Sequence, residues 1–171
     1  GVSILFGGAT PVVGITILSV LAFFLFSIFP GSALGEELGW RGFVLPRLQT
    51  RQSALKASLV IGILWGSWHL PLWLTGNESH PISLFVPFVI AVIALSVMYT
   101  WLYNNTGGSL FLVVLFHAAS NLPITVLISP MGSRGAQPFL IYVALMVVAA
   151  AAIVIASGAE HLSRTAHRQI E

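Results

Sequence analysis

"PVVGITILSVLAFFLFSIFPGSALGEELGWRG", residues 11 to 42, joins an apolar run to a charged one. Residues 11–29 are 19 positions without a charge. Shortly after come two adjacent carboxylates, Glu36 and Glu37, and a cation, Arg41. A helix needs about 20 mostly apolar residues to cross the hydrocarbon core of a bilayer. Charges beside such a run require a reason, because each costs about 2.5 kcal/mol or more at the centre of a membrane helix even on lenient insertion scales.

Four further runs have the same character: residues 57–74, 82–103, 109–128 and 138–157, none with Asp, Glu, Lys or Arg. The whole chain is 57% hydrophobic and 7% charged, whereas soluble domains carry roughly a quarter charged residues. The competing reading, a set of buried soluble helices, fits five such runs in 171 residues poorly. The expected fold is all-α: a polytopic transmembrane helical bundle of five to six membrane-embedded helices with the active site between helices. The sixth element is residues 32–51, where Ser32 follows Pro30-Gly31 as a possible cap and a break is expected near Pro46. This segment either dips into the bilayer or crosses it.

Residues 1–171 read as a single transmembrane domain. The chain opens at Gly1 without an initiator Met, and it is expected to lack earlier helices. No signal-peptide pattern, internal repeat or basic patch with interleaved aromatics is apparent. The net charge of +2 and high pI reflect few acids, so nucleic acid is not an expected partner. Cys is absent, which excludes disulfides and thiolate metal sites.

Arg47, Arg51 and Lys56 cluster in one connection, and Arg164 and Arg168 lie beyond the last run. Four spans between these regions put both on one side, which the positive-inside rule makes the cytoplasm. "TGNESHP" and "SPMGSRGAQ" then face out, with Arg134 the discordant charge, and "YNNTGG" is an inside turn. The tail from Gly158 is expected to fray.

Four places carry polar groups among the apolar runs. On a helix, Glu37 and Arg41 are i,i+4 neighbours in the favourable order for an ion pair. Glu36 points about 100° away around the axis, off the Arg41 side. Burial would favour its neutral form and make it a candidate general base, while a solvated helix start is the plainer alternative. His69 lies deep in "LWGSWHLPLW", where Pro71 should kink the helix and free a backbone carbonyl. Ser58, Gly62 and Gly66 offer a small face for close helix contact. His117 and Asn121, in "LFHAASNLP", share a face at i,i+4 and could equally be interhelical glue. His80, His161 and His167 read as surface residues.

Taken together, three helices bring a carboxylate, two imidazoles and a carboxamide into an apolar bundle. Those are the parts of a hydrolytic site: a base for water and donors for a developing oxyanion.

The same residues carry a resemblance. "EELGWR", residues 36–41, resembles the EExxxR motif of the CPBP family of CAAX-protease and bacteriocin-processing membrane proteins, also called the Abi family. The family's second motif, an aromatic residue followed four positions later by His, is similar to Trp65 and His69, with Trp where Phe is commoner. Its third, HxxxN, is similar to His117 to Asn121. The matching catalytic core runs over residues 32–123. The resemblance implies an intramembrane endopeptidase in which Glu36 and His69 activate water and His117 and Asn121 bind the oxyanion. Glu37 and Arg41 would hold the geometry.

Members of that family have been described both as zinc metalloproteases and as metal-free glutamate enzymes. Glu36, His69 and His117 are the set that would hold Zn2+ with an open position for water. Ligands from different helices have no sequence spacing to decide between the two. The implied partners are a peptide or membrane-protein substrate and the lipid bilayer. The implied setting is a prokaryotic plasma membrane, with the C-terminus in the cytoplasm. Two rival functions remain at this stage. One is a non-enzymatic scaffold or bacteriocin self-immunity protein of the same fold. The other is a transporter or proton relay, which would need a continuous water path.

Overall fold

The computed structural model describes residues 16–29, 33–76, 81–128 and 135–163. The elements in chain order are α1 (Ile17–Ile28), α2 (Ala33–Gly39), α3 (Leu45–Gln49), α4 (Ala54–Trp68), α5 (Leu70–Leu74), α6 (Phe85–Asn105), α7 (Leu110–Leu122) and α8 (Ala136–Ser157). Among the described residues there is no strand. Four helical stretches, beginning at Ile17, Ala54, Ile82 and Ala136, are long and apolar enough to cross a membrane, and Leu110–Val126 is a shorter apolar helix. The protein is a polytopic helical bundle, as its uncharged runs predict, with α7 shorter than a full crossing.

The helices start where short polar side chains can satisfy the first backbone donors. Thr16 Oγ1 accepts from the Ser19 N–H at 3.1 Å, and Ser19 Oγ accepts from the Thr16 N–H at 3.0 Å, forming a capping box ahead of α1. Ser53 and Ser109 cap α4 and α7 by a single bond each, accepting from the N–H groups of Lys56 and Leu112. Ser32 lies outside the described residues.

The expected break near Pro46 does not occur. Pro46 sits in the first turn of α3, where its missing N–H leaves no gap in the helical ladder. The strain is taken up one turn earlier. Trp40–Val44 form a π turn in which the Leu45 N–H reaches back to the Trp40 carbonyl. The wider turn keeps the chain helical on either side and sets the direction in which α2 presents Glu36 and Glu37.

At Pro71 the expected interruption does occur. The His69 N–H bonds the Gly66 carbonyl at 3.2 Å, a tight turn, and α5 begins at Leu70. The His69 N–H, which an unbroken α-helix would give to the Trp65 carbonyl, goes to Gly66 instead.

α6 is the centre of the bundle and packs against α4, α7 and α8. Lipid gives helices no hydrophobic reason to associate, so close packing and polar contacts must supply it. The small face of α4 does this. A Cβ on Gly62 would stand 2.6 Å from the Ile93 Cα, so the two backbones approach as only glycine permits. Gly66 meets Val89 similarly, and buried Ser58 donates to the Ala54 carbonyl at 2.7 Å. The apolar residues left outside, such as Leu18, Phe26, Leu64, Val86, Phe111 and Val148, suit a lipid surround.

The tail does not fray over its described part. The Ala54 and Leu55 N–H groups, unpaired donors at the start of α4, bond the carbonyls of Glu160 and Ala159 at 2.8 and 3.1 Å. Asn104 and Asn105 donate to the carbonyls of His161 and Leu162, both at 2.8 Å, and the Leu162 side chain is fully buried. These bonds hold the start of α4 and the end of α8 at one end of the bundle, in keeping with the span parity. His161 is exposed, as expected. Glu78, His80, Arg134, Arg164, His167 and Arg168 lie outside the described residues.

Candidate active site

The polar residues from three sequence-distant helices meet around Trp65. α2 supplies Glu36 and Glu37, the π turn Arg41, α4 and its end Trp65 and His69, and α7 His117. α6 forms the floor with Ser96 and Tyr99.

Glu37 and Arg41 form the expected ion pair, with Arg41 Nη1 donating to Glu37 Oε1 at 3.1 Å and both side chains fully buried. A second donor reaches the same oxygen: Nδ1 of His117 lies 2.8 Å from Glu37 Oε1. A carboxylate accepts, so this ring nitrogen carries hydrogen. Arg41 Nη2 donates onward to Ser96 Oγ at 3.1 Å. The guanidinium also lies 5.1 Å from the Trp65 ring centroid and 4.7 Å from that of Tyr99, within cation–π range. A buried ion pair is tolerable only with such support, because desolvating its members costs several kcal/mol each. Glu37 Oε2 and Arg41 Nε are buried without a hydrogen-bond partner among the described residues.

Glu36 is half-buried, and its carboxylate takes the indole N–H of Trp65. His69 Nδ1 lies 2.8 Å from the Trp65 carbonyl, which the His69 backbone N–H leaves for Gly66. A carbonyl only accepts, so Nδ1 carries hydrogen and Nε2 presents its lone pair in the neutral ring. The Trp65 ring is edge-on to both imidazoles, with centroids 6.4 Å from His69 and 5.3 Å from His117. Trp65 thus touches Glu36, His69, His117 and Arg41.

Asn121, one turn beyond His117, points its Nδ2 at Ser27 Oγ on α1, 3.0 Å away. Ser120 between them donates to the His117 carbonyl at 2.8 Å and shares a hydrogen bond with the Tyr99 hydroxyl. The Tyr142 hydroxyl donates to the Ser120 carbonyl at 3.3 Å. Among the described residues, no three His, Cys, Asp or Glu side chains are gathered closely enough to hold a metal ion. In this arrangement Glu36, His69 and His117 are not gathered as a ligand set.

Sequence reasoning missed Ser27, Ser96, Tyr99 and Ser120. A signal existed on α6, where Ser96, Tyr99 and Thr100 repeat at i, i+3, i+4 inside an apolar run and are all fully buried. Nothing in the first apolar run marked Ser27 as a contact for Asn121.

Two comparisons bear on this constellation. Residues 13–123 match the family model described as type II CAAX prenyl endopeptidase Rce1-like. Over 98 residues the chain is 35% identical to CAAX prenyl protease 2 of Methanococcus maripaludis, covering 53% of this chain and 36% of that protein. The chain therefore spans little more than a third of that relative's length. The family match takes in the EELGWR stretch, Trp65, His69, His117 and Asn121, and more than half of the chain's 171 residues. The chain belongs to the Rce1-like type II CAAX prenyl endopeptidase family.

Proposed function

We propose that this integral membrane protein is an endopeptidase that cleaves a peptide bond within the bundle, near the membrane surface, by direct activation of water. The observation that carries the reading is the convergence on Trp65. Glu36 bonds its indole, and the His69 and His117 rings lie 6.4 and 5.3 Å from it on separate helices. The names of the relatives point to a prenylated CAAX peptide as the substrate class.

In the proposed reaction Glu36 takes a proton from water as the new O–C bond forms at the scissile carbonyl, and His69 holds that water through Nε2. The carbonyl oxygen becomes an oxyanion. Asn121 Nδ2–H and His117 Nε2–H donate to it. His117 does so with hydrogen on both nitrogens, Nδ1–H remaining on Glu37 as its counter-ion. When the C–N bond breaks, the proton held by Glu36 passes to the leaving amine. Donors placed in this way act on charge that exists only in the transition state, so they lower the barrier without tightening substrate binding. Glu37 and Arg41 orient His117 and stay out of the proton transfers.

No step in this reading passes through a metal. The basic residues Arg47, Arg51 and Lys56 support a cytoplasmic side for the end of α8, and a prokaryotic plasma membrane is the proposed location.

The test is cleavage of a fluorogenic prenylated CAAX peptide in liposomes by wild type, Glu36→Ala and His69→Ala. Both variants should lose turnover while remaining monodisperse. Undiminished cleavage in both would overturn the reading. A cellular protective effect that survives Glu36→Ala, with no cleavage by wild type, would favour a non-enzymatic scaffold or immunity protein instead.

A further inference from the structure

We propose that Ser27 is a positioning residue for Asn121, so that α1, otherwise an apolar lipid-facing helix, sets the oxyanion donor. This rests on the oxyanion role proposed for Asn121. α1 is apolar nearly all round, and Ile17, Leu18, Leu21, Phe23, Leu25 and Phe26 are exposed. Ser27 is its one buried residue, 8% exposed. Its Oγ lies 3.0 Å from Asn121 Nδ2, and α1 packs along α7, which bears Asn121.

The chemistry follows from the carboxamide. Its two ends have similar shape and opposite hydrogen-bonding character: two N–H donors at one, an acceptor oxygen at the other. Rotation by half a turn about its last bond would present oxygen to the substrate oxyanion, a repulsive contact. Ser27 Oγ accepts one Nδ2–H and fixes the position and plane of the amide in this orientation. The second Nδ2–H remains for the oxyanion. A hydroxyl in an apolar helix interior is a local means of fixing an amide plane. It also explains why the buried position of α1 is a serine rather than another leucine or phenylalanine.

The role differs from that of a packing residue. Removing Oγ takes away one atom and changes volume little, so the helix contact survives. What changes is the population of the productive amide orientation. That should lower kcat and leave KM nearly untouched. It should also matter only while Asn121 is present.

The experiment measures kcat and KM for the prenylated peptide with wild type, Ser27→Ala, Ser27→Thr, Asn121→Ala and the Ser27→Ala/Asn121→Ala double variant, in liposomes. Ser27→Ala should lower kcat about tenfold, less than the 10²–10³ typical of losing an oxyanion donor outright, with KM within about twofold. Ser27→Thr, which keeps the hydroxyl, should restore most of the turnover. The double variant should equal Asn121→Ala, because a residue acting through Asn121 has nothing left to act on. Wild-type kcat in Ser27→Ala, or a further tenfold loss in the double variant, overturns the proposal. Wild-type turnover in Asn121→Ala instead overturns the oxyanion role itself. If Ser27→Ala does not purify in monodisperse form, Ser27→Cys, similar in volume and a weak acceptor, gives the same comparison.

Discussion

Glu37 Oε1 is the shared acceptor for His117 Nδ1 at 2.8 Å and Arg41 Nη1 at 3.1 Å, so one carboxylate oxygen ties the first motif to the third. The two acids of EELGWR thus part company. Glu37 turns inward to the ion pair, and Glu36 turns to Trp65 on the α4 side. Neighbours on a helix point about 100° apart, and the bundle uses that angle to give two carboxylates two tasks.

That division predicts different phenotypes for the two acids. Glu36→Gln keeps the shape and an acceptor for the Trp65 indole but cannot take a proton. Turnover should fall by at least about 10², the low end of a general base's contribution, with an unchanged melting temperature in detergent. A variant that cleaves at the wild-type rate would show that Glu36 is not the base.

Arg41 is a stability residue in the same account. Its two Nη atoms serve Glu37 and Ser96 separately, and it is fully buried. Arg41→Ala breaks a fully buried ion pair by removing one partner, which typically costs about 3–5 kcal/mol. Arg41→Lys should rescue little, because a single ammonium does not reproduce the guanidinium fork. Thermal unfolding followed by circular dichroism would check both, and a full rescue by Lys would show that charge alone suffices.

Metal removal gives an independent check. Cleavage should be unaffected by dialysis against a strong chelator, because the three candidate ligands are not gathered as a set. Loss of activity on chelation, with return on adding zinc, would mean that the His69 and His117 rings rearrange around an ion.

The α4–α6 contact predicts a contrast between glycines. Gly62→Ala drives its methyl against the Ile93 Cα at 2.6 Å and should destabilise by about 1–3 kcal/mol, the usual cost of overpacking. Gly39→Ala meets nothing within 4 Å and should be neutral or stabilise by up to about 1 kcal/mol. Equal melting temperatures for the two variants would refute the close approach.

Much of this was legible in the chain itself. The uncharged runs marked the helices, Pro71 marked the interruption at His69, and Ser58, Gly62 and Gly66 marked the close face. Two expectations failed for physical reasons. Pro46 did not break its helix because a π turn at Trp40–Val44 absorbed it. Residues 158–163 of the tail did not fray because their carbonyls meet the open N–H groups of α4 and the amides of Asn104 and Asn105.

Sequence alone determined what is local: apolar length, helical spacing, and the i,i+4 pairing of Glu37 with Arg41. Only the tertiary structure decided that His117 chooses Glu37, 80 residues away, and that Asn121 reaches Ser27 across 94. The reason is geometric. Helical periodicity states which face a side chain occupies. Which neighbour that face meets depends on backbone approach, and here glycines, a π turn and an interrupted helix set it.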